Sequence, residues 1–245
     1  MFGLLSGRYV HVLPDFFAQK FGGHSLHLTM LITWDSIMHG TVVFLKHTGW
    51  LEGCGVITGL ICVWLAARNH LLNWPFAIIS VSIYIFICFR SKLYADMGLQ
   101  FYFLLMNIYG WYFWLKKRND GDKSMPVHQI SNRDIRFSVL AVLAFTLIAG
   151  YLLKTHTDAK LPFMDSFCTG CSLVAQWLLA RRVLQNWLIW VAVDILYTGV
   201  YLSRELYATA FMYLIYIGIA WMGYIQWKKS FLLQQENPEP TPETQ

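Results

Sequence analysis

The chain contains itself twice. Shifted by 113 residues, positions 64–116 fall on positions 177–229 without a gap, and 14 of these 53 aligned pairs are identical. The identities include Trp64/Trp177, Arg68/Arg181, Asn73/Asn186, Trp74/Trp187, Tyr84/Tyr197, Gly110/Gly223 and Trp114/Trp227, together with the tripeptide Leu93-Tyr94-Ala95 matched by Leu206-Tyr207-Ala208. Shared apolar composition can align leucine with leucine, but it does not align a set of tryptophans. In a membrane protein, a duplicated bundle points to a passage between two halves, with a ligand held where they meet.

Composition places the chain in lipid. Hydrophobic residues make up 56% and charged residues 13% of the 245 residues, against roughly 25% charged in a soluble domain. The mean hydropathy is +0.44. Seven apolar stretches approach the about 20 residues needed to cross a bilayer: 50–67, 73–89, 96–115, 136–153, 163–180, 186–203 and 207–227. Lipid offers the backbone no hydrogen-bond partners, so these stretches are predicted to be helices. The fold class expected is therefore an all-α membrane protein.

Residues 26–45 form an eighth candidate, interrupted by Asp35, His39 and Gly40, which either spans or lies in the interface. The N-terminus lacks the basic run and cleavage site of a removed signal peptide.

Three spans return the chain to the opposite side, so a second copy in the same orientation needs one extra crossing. The span at 136–153 has no counterpart in either copy and supplies it. The arrangement expected is three, one, three, with parallel repeats. Its parts are an N-terminal segment (1–49), a first repeat (50–117), a loop and linker helix (118–162), a second repeat (163–229) and a disordered tail (230–245) rich in Pro, Glu and Thr.

Lys and Arg set the orientation. One side carries Arg68, Lys116, Lys117, Arg118, Lys123, Arg133, Arg136, Arg181, Arg182, Lys228 and Lys229, 11 in all. The other has six: Lys46, Arg90, Lys92, Lys154, Lys160 and Arg204. The richer side is expected to be cytoplasmic, with the C-terminus inside. The net charge of +5 then reflects loops beside anionic headgroups, and no nucleic-acid partner is expected. Cys54, Cys62, Cys88, Cys168 and Cys171 all lie in or at the ends of apolar spans. Cys168-Thr-Gly-Cys171 has a redox or zinc spacing but no second Cys or His pair beside it, so packing is expected and neither metal nor cofactor is.

Residues about 3, 4, 7 and 11 apart share a helix face. Gln100, Asn107, Trp111 and Trp114 form one such stripe, and Asp165, Thr169, Ser172 and Gln176 a second. Asn186, Trp190, Asp194, Tyr197 and Tyr201 form a third, and Tyr213, Tyr216, Tyr224 and Trp227 a fourth. Polar groups avoid hydrocarbon, so the four stripes are predicted to converge inside. Asn73 and Asn186, present in both copies, read as scaffold that bonds helix to helix. Trp74, Trp114, Trp187 and Trp227, near helix ends, read as an interfacial aromatic belt.

The copies differ where chemistry is expected. Val81 stands against Asp194, Ala77 against Trp190, Asn107 against Ala220 and Gln100 against Tyr213. Asp194 is the sharpest of these, because a carboxylate inside an apolar span is costly unless it neutralises, finds a partner or meets a cation. No Lys or Arg lies mid-span to pair with it. It is a protonated or hydrogen-bonded acid, a proton-coupling site, or the counter-ion of a positive ligand. Trp190, Tyr197, Trp111 and Tyr213 could box a flat or cationic ring.

The segment Gln100–Lys117, with Asn107-Ile-Tyr-Gly-Trp111, and the segment Asn186–Tyr201, with Trp190-Val-Ala-Val-Asp194-Ile-Leu-Tyr197, resemble the Pnu-type vitamin transporters, specifically the PnuC nicotinamide riboside transporters. The resemblance covers residues 50–229. It implies a bacterial inner-membrane protein that moves nicotinamide riboside by facilitated diffusion and alternating access. It also implies that cytoplasmic phosphorylation of the vitamin acts as the trap.

On that basis the substrate-binding set is Gln100, Asn107, Trp111, Gln176, Trp190, Asp194, Tyr197 and Tyr213. The acid and rings suit the pyridinium, and Gln100, Asn107 and Gln176 suit the carboxamide and ribose hydroxyls. A homo-oligomer is expected. The sequence lacks the paired Pro-Gln motifs of SWEET sugar transporters.

Three rivals differ in kind. A proton-coupled carrier of another vitamin or nucleoside would use Asp194 as its titrating group. A seven-helix photoreceptor would need a lysine between Tyr207 and Trp227, and none is there. An intramembrane enzyme would need a catalytic set; there is no HExxH and no convincing Ser and His pair, so no catalytic residue is expected.

Overall fold

A computed structural model of the chain describes residues 50–119, 126–157, 159, 161–203 and 207–236. Seven helices account for nearly all of them: α1 (Trp50–Ala67), α2 (Asn73–Arg90), α3 (Tyr94–Asn119), α4 (Asn132–His156), α5 (Pro162–Ala180), α6 (Asn186–Ser203) and α7 (Tyr207–Glu236). The candidate helix at 26–45 and the last nine residues lie outside the described residues.

Each predicted span lies at a helix, and the helices run past the apolar windows where polar residues continue the turn. α4 begins four residues before its apolar window because Ser131 caps it. The Ser131 hydroxyl accepts from the Asp134 backbone N–H at 3.1 Å, meeting one orphan donor of the first turn. α7 continues to Glu236, through residues 230–236 that the sequence assigned to the tail. Phe231-Leu-Leu-Gln-Gln is mostly good helix former, and Gln234 is held from outside. Its side-chain oxygen accepts from the Val127 backbone N–H at 3.0 Å.

α2, α4 and α7 (from Thr209) are long and apolar enough to cross a membrane by length and composition alone. The other four helices include the bearers of Gln100, Asn107, Gln176 and Asp194, whose polar side chains turn inward and dilute the apolar signal.

Helix contacts follow the duplication. α1 packs on α2 and α2 on α3; α5 packs on α6 and α6 on α7. The two triplets meet twice, α1 against α7 and α3 against α5, which closes a ring of six helices. α4 packs on α5, and of its residues only Ser138 and Gly150 are buried. Gly150 admits the close approach: a Cβ there would stand 2.5 Å from the Phe163 ring.

Both triplets make the same turn after their first helix. In α1, the Asn69 N–H donates to the Ala66 carbonyl (2.9 Å) and the His70 N–H to the Leu65 carbonyl (2.9 Å). In α5, the Arg182 N–H donates to Leu179 (3.0 Å) and the Val183 N–H to Leu178 (3.0 Å). These are paired Schellman caps. Their left-handed residues are Asn69 and Arg182, each with φ 60°.

Candidate binding site between the two repeats

Most of the four stripes turn inward, whereas Trp111, Asp165 and Tyr224 are only half-buried. Gln100, Asn107 and Trp114 of α3, Thr169, Ser172 and Gln176 of α5, Asn186, Trp190, Asp194, Tyr197 and Tyr201 of α6, and Tyr213, Tyr216 and Trp227 of α7 are all buried. Their ring of helices surrounds a narrow cavity.

Four of the eight candidate residues line this cavity: Gln176, Trp190, Asp194 and Tyr213. Cys62 and Ala66 of α1, Leu179, Trp187, Tyr216 and Ala220 complete most of the wall. Gln100 lines a smaller neighbouring chamber with Ala77, Ser80, Val81 and Tyr84. That chamber is the twin of the first: Ala77, Val81 and Gln100 occupy the repeat positions of Trp190, Asp194 and Tyr213. Cys62 borders both.

Asn107 stands behind the wall, where its side-chain oxygen accepts from Gln176 Nε2 at 2.8 Å across the α3–α5 contact. That bond leaves Gln176 Oε1 and Asn107 Nδ2 buried with no hydrogen-bond partner among the described residues. Tyr197 also stands one layer back. It packs on Tyr213 at 5.4 Å between ring centroids, while Tyr201 stacks on Tyr213 at 5.2 Å. Trp111 does not reach the cavity and packs, half-buried, on the tryptophan cluster beside it. The box of four rings expected around Asp194 is thus Trp190 and Tyr213, with Trp187 and Tyr216 taking the places given to Trp111 and Tyr197.

Asp194 is 6% exposed and faces the cavity. No cation stands in ion-pair contact with it among the described residues, where the salt bridge formed is Arg181–Asp134 at 3.7 Å. Its helix neighbour Thr198 donates to the Asp194 backbone carbonyl at 2.7 Å, which leaves the carboxylate to the cavity.

The tryptophans depart from the sequence expectation. Trp74, Trp114, Trp187 and Trp227 are at most 1% exposed, so they form no belt against lipid. Trp187 lines the cavity, and the four rings pack in one cluster with the cavity-lining Ala66, Leu179, Trp190 and Ala220. Trp74 meets Trp114 edge-on at 5.1 Å, Trp187 meets Trp227 edge-on at 5.5 Å, and Trp114 and Trp227 lie 6.2 Å apart. Gly110 and Gly223 make room, since a Cβ at either would come within 3 Å of the Trp74 or Trp187 ring. The bond that Asn186 makes is local rather than helix to helix: its Nδ2 donates to the Val183 carbonyl at 2.7 Å and pins the turn before α6.

Among wall residues outside the candidate set, Tyr216 lay on a recognised stripe and was legible. Cys62 gave no signal, because a thiol in an apolar span looks like any other small core residue.

The chain is similar to known proteins. The nicotinamide riboside transporter PnuC of Escherichia coli is 29% identical over 206 residues, covering 74% of this chain and 86% of its own. The riboflavin/roseoflavin transporter RibM of Streptomyces davaonensis is 27% identical over 190 residues, covering 76% and 88%. The crystal structure of the vitamin B3 transporter PnuC superposes with a TM-score of 0.60 at 24% identity, covering 90% of this chain and 98% of that one, and it shares the all-α membrane fold. Residues 49–229 match the family model for the nicotinamide mononucleotide transporter, and the chain belongs to that family of multi-pass membrane transporters.

Proposed function

We propose that the chain is a uniporter for nicotinamide riboside. The single observation that supports this reading best is the Asp194 carboxylate, buried, facing the cavity and without a cationic partner among the described residues. A pyridinium ring supplies the missing positive charge, and Trp190 and Tyr213 offer it aromatic faces. A mononucleotide fits less well, because its phosphate would bring negative charge to a wall that has an acid and no Lys or Arg. The open Gln176 Oε1 adds an acceptor for a carboxamide N–H or ribose hydroxyl.

The two triplets form parallel repeats joined by α4, and access alternates by rocking one against the other around the cavity. The basic end, with the C-terminus, faces the cytoplasm of a bacterial cell, and the membrane is the inner one. A uniporter leaves net flux to the removal of its ligand, here phosphorylation of the riboside inside the cell. A flavin is the second reading, favoured by the riboflavin/roseoflavin transporter among the relatives. It would leave Asp194 facing an uncharged ring.

Uptake of labelled nicotinamide riboside into liposomes holding the purified protein tests the proposal, with and without a riboside kinase and ATP trapped inside. Equilibration without kinase, accumulation with it, and no competition from riboflavin are expected. Competition by riboflavin with no riboside entry would replace the reading by the second one.

A further inference from the structure

Below the cavity, the Arg182 side chain is packed where a charge is least expected. It is 3% exposed. Its guanidinium carbon lies 4.5 Å from the ring centroid of Trp114 and 5.9 Å from that of Trp227, both within cation–π reach.

Those two indoles come from opposite repeats, and each is bonded into the other. Trp114 Nε1 donates to the Ala180 carbonyl and Trp227 Nε1 to the Ala66 carbonyl, both at 3.1 Å. Ala66 lines the cavity, as does Leu179, the residue before Ala180. The indole layer is therefore the cavity floor, and Arg182 spans its seam from beneath.

The duplication shows that the turn itself does not require this side chain. Asn69 holds the twin position with the same φ of 60°. Asparagine tolerates left-handed backbone, whereas a long side chain adopts it less readily. An arginine kept at the costlier residue type suggests a purpose for its guanidinium beyond the cap.

The same turn is strapped from outside. The His128 N–H donates to the Arg182 carbonyl at 3.0 Å, and the Leu184 N–H donates to the His128 carbonyl at 2.8 Å. The neighbouring Val127 is 2% exposed within the tryptophan cluster.

We propose that Arg182 is the latch of the gate at the basic end: its guanidinium holds the two repeats closed by lying across Trp114 and Trp227, and it must leave them before the cavity opens there. The inference rests on the alternating-access reading above. Arg182 is a positioning residue, since it does not line the cavity.

Labelling of Cys62 tests the latch without any substrate. Cys62 borders the cavity and is 3% exposed in the closed form. With Cys54, Cys88, Cys168 and Cys171 replaced by serine or alanine, a membrane-impermeant maleimide is applied to inside-out and right-side-out vesicles. Arg182→Asn installs the twin's own residue at a backbone angle that asparagine accepts. The expected result is a rise of about tenfold in the labelling rate from the basic face alone, with Arg182→Lys between it and the parent. Thermal melting identifies folded variants, and if Arg182→Asn does not fold, Arg182→Lys decides by the same readout.

Unchanged labelling from the basic face in the folded variant, or an equal rise from both faces, would overturn the latch. A rise confined to the other face would overturn it as well, since the latch is placed at the basic end. A chain that moves a ligand other than a riboside would still show the effect, so failure of the substrate reading is told apart from failure of the latch.

Discussion

The indole N–H of Trp114 donates to the backbone carbonyl of Ala180 at 3.1 Å, and this bond joins the C-terminal part of the third helix to the last residue of the fifth. Its repeat partner Trp227 reaches back to Ala66 in the same way. Trp114 thus supplies a donor to the last carbonyl of the fifth helix, while Trp227 adds a second donor to a carbonyl that already accepts from the Asn69 N–H.

Trp114→Phe retains most of the ring but removes the donor, leaving the buried Ala180 carbonyl unsatisfied at a cost of about 1–3 kcal/mol. Trp227→Phe leaves the Ala66 carbonyl its bond from the Asn69 N–H, so the melting midpoint of the purified protein in detergent should fall by several degrees for Trp114→Phe and by less for Trp227→Phe. An unchanged midpoint in both would show that these bonds do not brace the halves.

Gly110→Ala drives a Cβ into the Trp74 ring, whereas Gly223→Ala places one 2.8 Å from Trp187 and Gly199→Ala meets nothing within 4 Å. Overpacking of a tight core costs typically about 1–3 kcal/mol. The expected order of stability loss is Gly110→Ala, then Gly223→Ala, with Gly199→Ala neutral. Melting curves that do not separate the first from the last would contradict the packing described for the indole layer.

Asp194→Asn keeps the shape of the site and removes its charge. Loss of one partner of a buried charge pair costs roughly 2–5 kcal/mol, so riboside affinity should fall at least about 30-fold. The reduced, uncharged riboside should lose far less. Calorimetry with both ligands checks this, and an equal loss for the two would reject the counter-ion role.

Gln176→Leu removes the donor to Asn107 and the open acceptor at the cavity together. Binding of nicotinamide riboside should weaken by about 1–3 kcal/mol, and binding of the pyridinium riboside lacking its carboxamide should weaken less. Equal weakening would mean that the amide pair supports the wall without touching the carboxamide.

Counterflow of labelled riboside in liposomes should proceed at the same rate when the pH gradient is collapsed by an ionophore. Dependence on the gradient would move Asp194 from counter-ion to proton-coupling group and favour the proton-coupled carrier.

Much of the fold was legible because duplication and lipid both constrain a sequence tightly. Residues 64–116 and 177–229 named each other as repeats, and apolar windows located all seven helices, missing mainly the polar ends that lipid does not dictate. Inward stripes such as Asn186, Trp190, Asp194, Tyr197 and Tyr201 were readable from helical period alone.

Depth within a face was not readable. Tyr197 shares its stripe with Trp190 and Asp194, which line the cavity, yet stands one layer behind it, because period gives direction and not distance. The tryptophans misled for a related reason: an indole near a helix end fits an interface belt until its packing partner is known. Gly110 and Gly223, matched between the copies, were the missed clue, since each is a notch for an indole of its own repeat.

The twin chambers have a consequence for how such a carrier could arise. Had the halves remained two identical chains, any change of the Val81 type into an acid would have entered both chambers at once, leaving no difference of charge between them. Joining the copies through α4 let a single wall acquire Asp194 while its sibling kept Val81. Covalent fusion is thus what permits a lopsided field inside a symmetric frame.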